Sequence, residues 1–162
     1  MTQRTSTADW PCPIARAVDE LGDGWTLLIV RDASLGARRF DDFQRSLGIG
    51  RNILADRLSR LVDRGIFTKE PYSERPPRYE YRLTEKGREI FPILVAMAAW
   101  SDRWHSDPAG RPVLARHTGC DHDMHARIVC GECGEELEKQ TIRLRANPDY
   151  AGAAPSPLVE RT

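Results

Sequence analysis

The chain has 162 residues, of which 40% are hydrophobic and 30% are charged, the proportions of a soluble globular protein with a buried core. No apolar run approaches the length of a membrane-spanning helix, and the N-terminus lacks the hydrophobic core of a secretory signal peptide. We therefore expect a cytoplasmic protein with no membrane partner. Lys and Arg balance Asp and Glu at 24 each, but residues 31–88 hold 14 basic and 9 acidic residues, a net charge of +5. Such a segment suits a surface that binds phosphate.

Two short helices are predicted ahead of this basic segment. Residues 1–9 are polar and are expected to form a flexible arm. Residues 14–21 place their apolar side chains on one face of a helix. After a break at Gly22-Asp23-Gly24, a strongly apolar helix is predicted over 25–35, and Gly36 ends it.

Residues 40–64 have the pattern of two helices joined by a glycine turn. The first, 40–47, is short and amphipathic. Leucines recur at helical spacing in the second, 51–64, and predict its buried face: Leu54, Leu58 and Leu61. Gly65 follows the last periodic residue, at the position of a left-handed helix C-cap. This order predicts a helix-turn-helix.

The second of these helices has the features of a helix that reads DNA. At about 100° per residue, Asn52 and Ser59 point away from the leucine face. Arg51 and Asn52 lie in the first turn, which usually faces base edges, and their side chains can pair with guanine and adenine respectively. Asp56 would repel phosphate, and we expect it to pair with Arg60 one turn later.

Two β-prone runs follow, near residues 66–68 and 79–83, and are expected to form a hairpin. The segment 73–78 between them holds two arginines, Arg75 and Arg78, around two prolines that stiffen the tip. A basic tip after a helix-turn-helix favours a wing that touches the DNA backbone or minor groove over a simple solvated turn. The predicted fold is mainly α with a small β-hairpin wing, a winged helix-turn-helix. The candidate DNA-binding residues are Arg39, Arg51, Asn52, Ser59, Arg60, Arg75 and Arg78.

A long apolar helix is predicted from its N-cap at Thr84 as far as Trp104, with a kink at Pro92. Its apolar residues cover more than one face, and the helix at 14–21 has an equally apolar face. The economical interpretation is a twofold homodimer built from both helices. The alternative is a helix buried entirely within one subunit, with help from the C-terminal segment.

The C-terminal part carries a separate group of Cys and His residues. We expect residues 107–146 to form a small β-ribbon-like appendage, followed by a flexible tail at 147–162. The sequence Cys130-Gly131-Glu132-Cys133-Gly134 resembles a zinc knuckle, and His117 and Cys120 repeat its internal spacing. Three thiolates and one imidazole suit tetrahedral zinc. The pattern predicts one structural zinc ion per chain, with these ligands: His117, Cys120, Cys130 and Cys133.

Alternatives stay open for each cysteine. His122 or His125 is an alternative fourth ligand. Without a metal, the C-terminal cysteines are free thiols in a ribbon held by packing alone, or Cys120 forms a reversible disulfide. Cys12 lies just before the first helix, where the helix dipole favours a thiolate, and is the candidate redox-sensing residue. Its alternative role is that of a small buried thiol at the dimer edge.

With these segments identified, the chain resembles the HxlR-type winged helix-turn-helix transcriptional regulators, relatives of the MarR group. The resemblance spans about residues 10–104. Several motifs carry it together: Cys12-Pro13-Ile14, Leu21-Gly22-Asp23-Gly24-Trp25-Thr26, Arg39-Phe40-Asp41-Asp42-Phe43, Asn52-Ile53-Leu54-Ala55-Asp56-Arg57-Leu58, Pro77-Arg78-Tyr79-Glu80-Tyr81-Arg82-Leu83-Thr84-Glu85-Lys86-Gly87 and Trp100. It implies a homodimer on an imperfect palindrome, control of neighbouring genes, and often a response to oxidants or electrophiles. Some family members keep a sensing thiol at the place of Cys12.

Two positions depart from the family pattern. Gly24 stands where Lys is frequent, and Gly50 stands where Ser is frequent, which weakens the side-chain cap of the recognition helix. Base preference therefore does not transfer from relatives.

We expect residues 10–106 to form the DNA-binding and dimerisation domain of a transcriptional regulator, a homodimeric repressor on a palindromic operator. No phosphate-binding loop, HExxH motif or nucleophile elbow is present, so no enzyme is predicted. The rival hypothesis is a winged-helix protein-interaction module without specific DNA readout. DNA binding that falls steeply with salt would favour the regulator.

Overall fold

The computed structural model describes residues 6–105, 108–111 and 113–152. These ranges contain α1 (Pro13–Leu21), α2 (Gly24–Ser34), α3 (Phe40–Leu47), α4 (Arg51–Asp63), β1 (Phe67–Glu74), β2 (Pro77–Leu83), α5 (Glu85–Arg88), α6 (Phe91–Trp104), β3 (Arg116–His117), β4 (His122–Asp123) and a 3-10 turn at Lys139–Thr141. None of the helices in these ranges combines the length and apolar character needed to cross a membrane.

The chain divides into two compact units. One comprises Met1–Glu89 with Arg143–Thr162, and the other comprises Ile90–Ile142. The predicted arm at 1–9 and the predicted tail at 147–162 extend outside the described residues. The predicted domain boundary at 106/107 stays a prediction.

The core of the first unit lies between α2, α3, α4 and the β1–β2 hairpin. Its fully buried side chains are Phe43, Phe67, Ile29, Leu54, Leu58, Leu61, Ile66 and Val30. Phe43, Phe67 and Tyr81 pack edge to face, with ring centroids 6.3–6.5 Å apart. Burial, and secondarily the neighbouring Tyr79, raises the pKa of Tyr81, so its phenol stays neutral at the base of the hairpin. The order of elements and this core are those of a winged helix-turn-helix, as the sequence predicts.

The end of α4 fixes where the hairpin begins. Gly65 adopts φ +67°, the left-handed conformation expected from the sequence. Its N–H donates to the Val62 carbonyl at 2.9 Å, and the Ile66 N–H donates to the Leu61 carbonyl at 2.9 Å. These two bonds form a Schellman motif. The chain therefore reverses directly from the recognition helix into β1.

A short turn locks the other end of the hairpin to the same junction. The hydroxyl of Thr84 donates to the Gly65 carbonyl at 2.7 Å and accepts the Gly87 N–H at 3.1 Å, so Thr84 is the helix N-cap that the sequence predicts. Gly87 is required here because a Cβ at this position would lie 2.3 Å from the Ile66 carbonyl oxygen. The wing is thus fixed at its base on both strands.

The long helix predicted from Thr84 to Trp104 is instead two helices. The first is the single turn α5, and α6 begins at Phe91. Pro92 occupies the first turn of α6, where its missing N–H costs no helical hydrogen bond. Proline therefore starts a new helix here and does not kink an existing one.

The C-terminal segment contains little regular structure. The two-residue strands β3 and β4 pair antiparallel, and Val129 and Glu136 form an isolated antiparallel bridge. The predicted β-prone runs at 112–117 and 127–130 thus contribute short strand contacts, although Pro112 lies outside the described residues.

Candidate nucleic-acid interface

The recognition helix α4 presents one face to the core and the opposite face to solvent. Leu54, Leu58 and Leu61 are at most 1% exposed, as their spacing predicts. Asn52 and Ser59 lie on the exposed face. The N-cap residue of α4 is Gly50, whose missing side chain leaves the first turn without a side-chain cap. Backbone N–H groups at that end are therefore free to meet a phosphate.

Arg51, the other predicted base reader, is engaged within the protein. Its Nη1 donates to Gln44 Oε1 at 2.8 Å and lies 3.5 Å from Asp41 Oδ1. Its guanidinium sits 4.8 Å above the ring of Phe40. The side chain is still 65% exposed, so these contacts hold it loosely beside α3.

Asp56 makes the ion pair that the sequence predicts. Its carboxylate lies 3.1 Å from Arg60 Nε, one helical turn away. It also pairs with Arg57. These contacts neutralise a carboxylate that would otherwise face the DNA backbone, and they also reduce the charge that Arg60 offers to phosphate.

Arg57 has a role that its sequence position does not reveal. Its Nη2 lies 2.8 Å from Asp23 Oδ2, and both side chains are less than a third exposed. Asp23 is the N-cap of α2, with a carboxylate that accepts the Trp25 and Thr26 N–H groups. One carboxylate therefore caps α2 and ties α4 to it, which fixes the orientation of the recognition helix.

The wing is an antiparallel hairpin with a bulge between Pro71 and Ser73. Arg75 and Arg78 are exposed at its tip. Arg39 lies beside the middle of the hairpin, where its Nε is 3.3 Å from Glu80 Oε1 and its guanidinium is 4.5 Å from the Tyr72 ring centroid. Arg39 thus braces the wing against α3.

The predicted DNA-binding residues therefore separate into two groups. Arg39, Arg51 and Arg60 have partners within the protein. The side chains of Asn52, Ser59, Arg75 and Arg78 form no hydrogen bond or ion pair within the ranges that the structure describes. These four have donors and acceptors directly available to DNA.

Cys12 is the N-cap residue of α1, as predicted, and is half-buried. Its side chain makes no capping hydrogen bond. The thiol therefore stands at the start of a helix, where the N-terminal dipole acts on it.

The C-terminal Cys and His residues lie in two separate pairs. His117 Nδ1 is 3.4 Å from the Cys120 sulfur. Hydrogen bonds from the Cys133 and Glu132 backbone, and from the Cys133 thiol, lower the pKa of Cys130. Over the described residues, no three or more His, Cys, Asp or Glu side chains form one group able to hold a metal. The expected convergence of the two pairs is therefore not seen in this structure.

The fold, the exposed helix face and the basic wing define a winged helix-turn-helix protein that binds DNA. The chain belongs to the HxlR family, because the sequence model of the family described as HxlR-like helix-turn-helix matches residues 20–108. It is similar to an uncharacterized HTH-type transcriptional regulator of Mycobacterium tuberculosis, strain CDC 1551 / Oshkosh, with 41% identity over 137 residues. That match covers 85% of this chain and 87% of the relative.

Solved structures agree with this assignment. The crystal structure of PA1607, a candidate transcription factor, is 40% identical, has a TM-score of 0.77, and matches over 86% of this chain and 98% of its own. The redox regulator HypR in its reduced form is 32% identical, has a TM-score of 0.54, and matches over 58% of this chain and 96% of its own. The protein is a DNA-binding transcriptional regulator.

Proposed function

We propose that this regulator is a homodimer that represses transcription by binding a palindromic DNA operator. The observation that carries the proposal is the apolar surface left on α1 and α6. Neither helix has a buried residue, although both are rich in large apolar side chains. A second copy of the chain is an economical cover for such surfaces, since a twofold axis brings like patches together.

The exposed side chains on α1 lie on a helix that is held firmly at its other end. Ile14 is 74% exposed in the single chain. At the C-terminal end of α1, the Glu20 carbonyl accepts a hydrogen bond from Arg64 Nη1 at 2.6 Å, and the Glu20 carboxylate lies 2.7 Å from Lys86 Nζ. A rigidly anchored helix with a bare apolar face is suited to a permanent contact.

The exposed apolar side chains of α6 form the larger surface. They are Phe91, Ile93, Met97, Trp100 and Trp104, between 44% and 65% exposed. Tryptophans of this exposure are frequent anchors of protein interfaces. A dimer that buries them would carry two recognition helices, and two half-sites about one DNA turn apart would then match its symmetry.

The dimer is tested by changing one apolar residue on each helix to a charge. Ile14→Asp and Met97→Asp should give monomers by light scattering at micromolar concentration, where the wild-type protein should have twice the mass of one chain. Each variant should also bind a selected operator at least about tenfold more weakly, because one half-site supplies only part of the contacts.

The matched control is Leu144→Asp, which places the same charge at a position that is 65% exposed and outside both helices. It should remain dimeric and bind the operator normally. A monomeric wild-type protein at micromolar concentration would contradict the proposed assembly.

The proposal includes a response to oxidants or electrophiles through Cys12. Three observations support it: Cys12 occupies the N-cap position of α1, α1 bears the exposed apolar face, and the chain is similar to the redox regulator HypR. Modification of a half-buried thiol at that end would disturb the packing of α1 in the dimer. Diamide with glutathione should join Cys12 to glutathione in a mixed disulfide, with the diamide reduced to its hydrazine. This should lower operator affinity at least about tenfold in the wild-type protein and leave Cys12→Ser unaffected.

A variant with serine at the three C-terminal cysteines is the control for this response. It keeps Cys12 and should respond to diamide as the wild-type protein does. Loss of the response in this variant, with the response retained in Cys12→Ser, would assign sensing to the C-terminal cysteines instead.

A further inference from the structure

The C-terminal segment lacks a hydrophobic core of its own. Between residues 113 and 142 every side chain is exposed except Met124, Ala126 and Cys130, which are half-buried. Its apolar residues are bare, with Val113 80% exposed and Ile128 59% exposed. A segment of this size without a core needs another device to hold one conformation, such as a metal, a disulfide or a partner.

The first of two turns in this segment joins β3 to β4. His117 and Cys120 occupy its first and fourth positions, and their side chains meet at 3.4 Å. The Asp121 N–H donates to the His117 carbonyl at 2.8 Å, and Asp121 takes the left-handed conformation, with φ +56°. The turn therefore places the His117 imidazole nitrogen and the Cys120 sulfur next to each other.

The second turn repeats this geometry. Cys130 and Cys133 occupy the first and fourth positions, the Gly134 N–H donates to the Cys130 carbonyl at 2.9 Å, and Gly134 has φ +73°. An ion pair between Arg127 Nε and Glu136, at 3.0 Å, closes the hairpin behind the turn.

The two turns thus share one hydrogen-bond pattern, with a metal-ligand side chain at the first and fourth positions of each. The two turns are alike in more than sequence spacing. In each, the fifth residue is left-handed and its N–H donates to the carbonyl of the first residue. Two such turns together offer three sulfurs and one nitrogen.

We propose that these two turns bind one structural zinc ion through His117, Cys120, Cys130 and Cys133. Zinc takes four such ligands in a tetrahedron, and binding converts three thiols into thiolates with release of their protons. Because the two pairs do not form one group among the described residues, binding must draw the turns together. The nine residues from 121 to 129 that join them span up to about 30 Å when extended, so the chain permits this.

The direct test is the metal content of full-length protein, purified without a histidine tag and gel-filtered after addition of zinc. We expect about one zinc per chain. His117→Ala and Cys133→Ser should each lose most of it, whereas Cys12→Ser, a cysteine variant outside the turns, should keep it. Zinc content unchanged by His117→Ala but lost with His122→Ala or His125→Ala would overturn the assignment of His117.

A second measurement, the rate of cysteine alkylation, uses only the wild-type protein, so its result does not depend on whether the variants fold. In wild-type protein, zinc should slow alkylation of Cys120, Cys130 and Cys133 at least about tenfold, while alkylation of Cys12 is unchanged. Cobalt in place of zinc should give the absorption of tetrahedral thiolate coordination.

Two results would overturn the site. One is less than about a tenth of a zinc per chain with all three cysteines alkylated equally fast with and without zinc. The other is a Cys130–Cys133 disulfide that forms in air and persists in the presence of zinc, which would make the second turn a redox pair. Neither result bears on DNA binding, which is measured separately.

Discussion

At the residue scale, Arg51 would have to exchange partners to read a base, whereas Asn52 would not. Arg51 would give up its 2.8 Å hydrogen bond to Gln44 and its contact with the Phe40 ring. Exposed contacts of this kind are worth about 0–1 kcal/mol, so the exchange is inexpensive. Asn52 has no competing partner in the described chain and is the side chain best prepared to read a base.

We expect Asn52→Ala and Arg78→Ala to weaken DNA binding in two distinguishable ways. Asn52→Ala should cost about 1–3 kcal/mol on the operator and little on random DNA, because an amide that pairs with adenine acts only at the right base. Arg78→Ala should weaken binding to the operator and to random DNA alike. It should also reduce the slope of log binding constant against log salt concentration by about 0.9, the value for one lost phosphate contact. Titrations by fluorescence anisotropy at several salt concentrations measure both effects.

The matched control is Asn147→Ala, which removes an exposed Asn amide outside the winged helix. It should bind both DNAs as the wild-type protein does. Equal losses on operator and random DNA for Asn52→Ala would remove this residue from base readout.

The pairs made within one helix are predictable from sequence, and those made between helices are not. Asp56 and Arg60 are four residues apart and form the expected pair. Arg57 and Asp23 are 34 positions apart in sequence, and only the packing of α4 on α2 brings them to 2.8 Å. Helical periodicity places Arg57 beside the core, but it carries no information about which acidic residue lies opposite.

At the element scale, Asp23 should contribute more to stability than its partly exposed position suggests. Asp23→Ala should lower the free energy of unfolding by roughly 1–3 kcal/mol, because it removes the α2 cap and leaves Arg57 without that partner. Asp23→Asn should keep the cap and lose only the ion pair, so its cost should be smaller. Urea unfolding measures the difference.

The control for this series is Asp63→Ala, at the exposed C-terminal end of α4. Its carboxylate opposes the helix dipole, so its removal should change stability by less than about 0.5 kcal/mol. If Asp23→Ala lowered the free energy of unfolding no more than Asp63→Ala does, the contact between α2 and α4 through Asp23 would not contribute to stability.

The sequence predicts the bounds of α3 and α4 closely, because helical periodicity and the residues that end each helix agree. It predicts the length of β1 and the break between α5 and α6 less well. The α3 helix has the predicted bounds, and α4 ends at Asp63, one residue earlier than predicted, with the predicted left-handed Gly65 just beyond its C-cap. The strand β1 runs to Glu74, well beyond the predicted 66–68, because pairing with β2 orders a polar stretch that has little strand propensity. The break between α5 and α6 is missed because Pro92 can either kink a helix or start one.

At the scale of the whole molecule, a neutral chain conceals a basic DNA-binding part. The net charge of +5 belongs to residues 31–88, the stretch that contains α3, α4 and the wing together with the end of α2, the connecting loops and α5, and the remaining residues carry the compensating negative charge. A basic stretch of this kind is attracted to the phosphates of DNA, which favours an encounter through that part of the chain. This distribution is visible in the sequence, whereas the surfaces that a partner chain would cover are revealed only by exposure in the folded structure.

The most direct test of specific DNA recognition is genome-wide footprinting of the purified protein on fragmented genomic DNA, with Asn52→Ala beside the wild type. We expect the wild-type protein to enrich a few sites that share a palindrome with half-sites about one helical turn apart. The variant should lose that enrichment while it still binds DNA at low salt. Wild-type binding spread evenly over the genome, or no binding even at low salt, would contradict the account and favour a protein-interaction module.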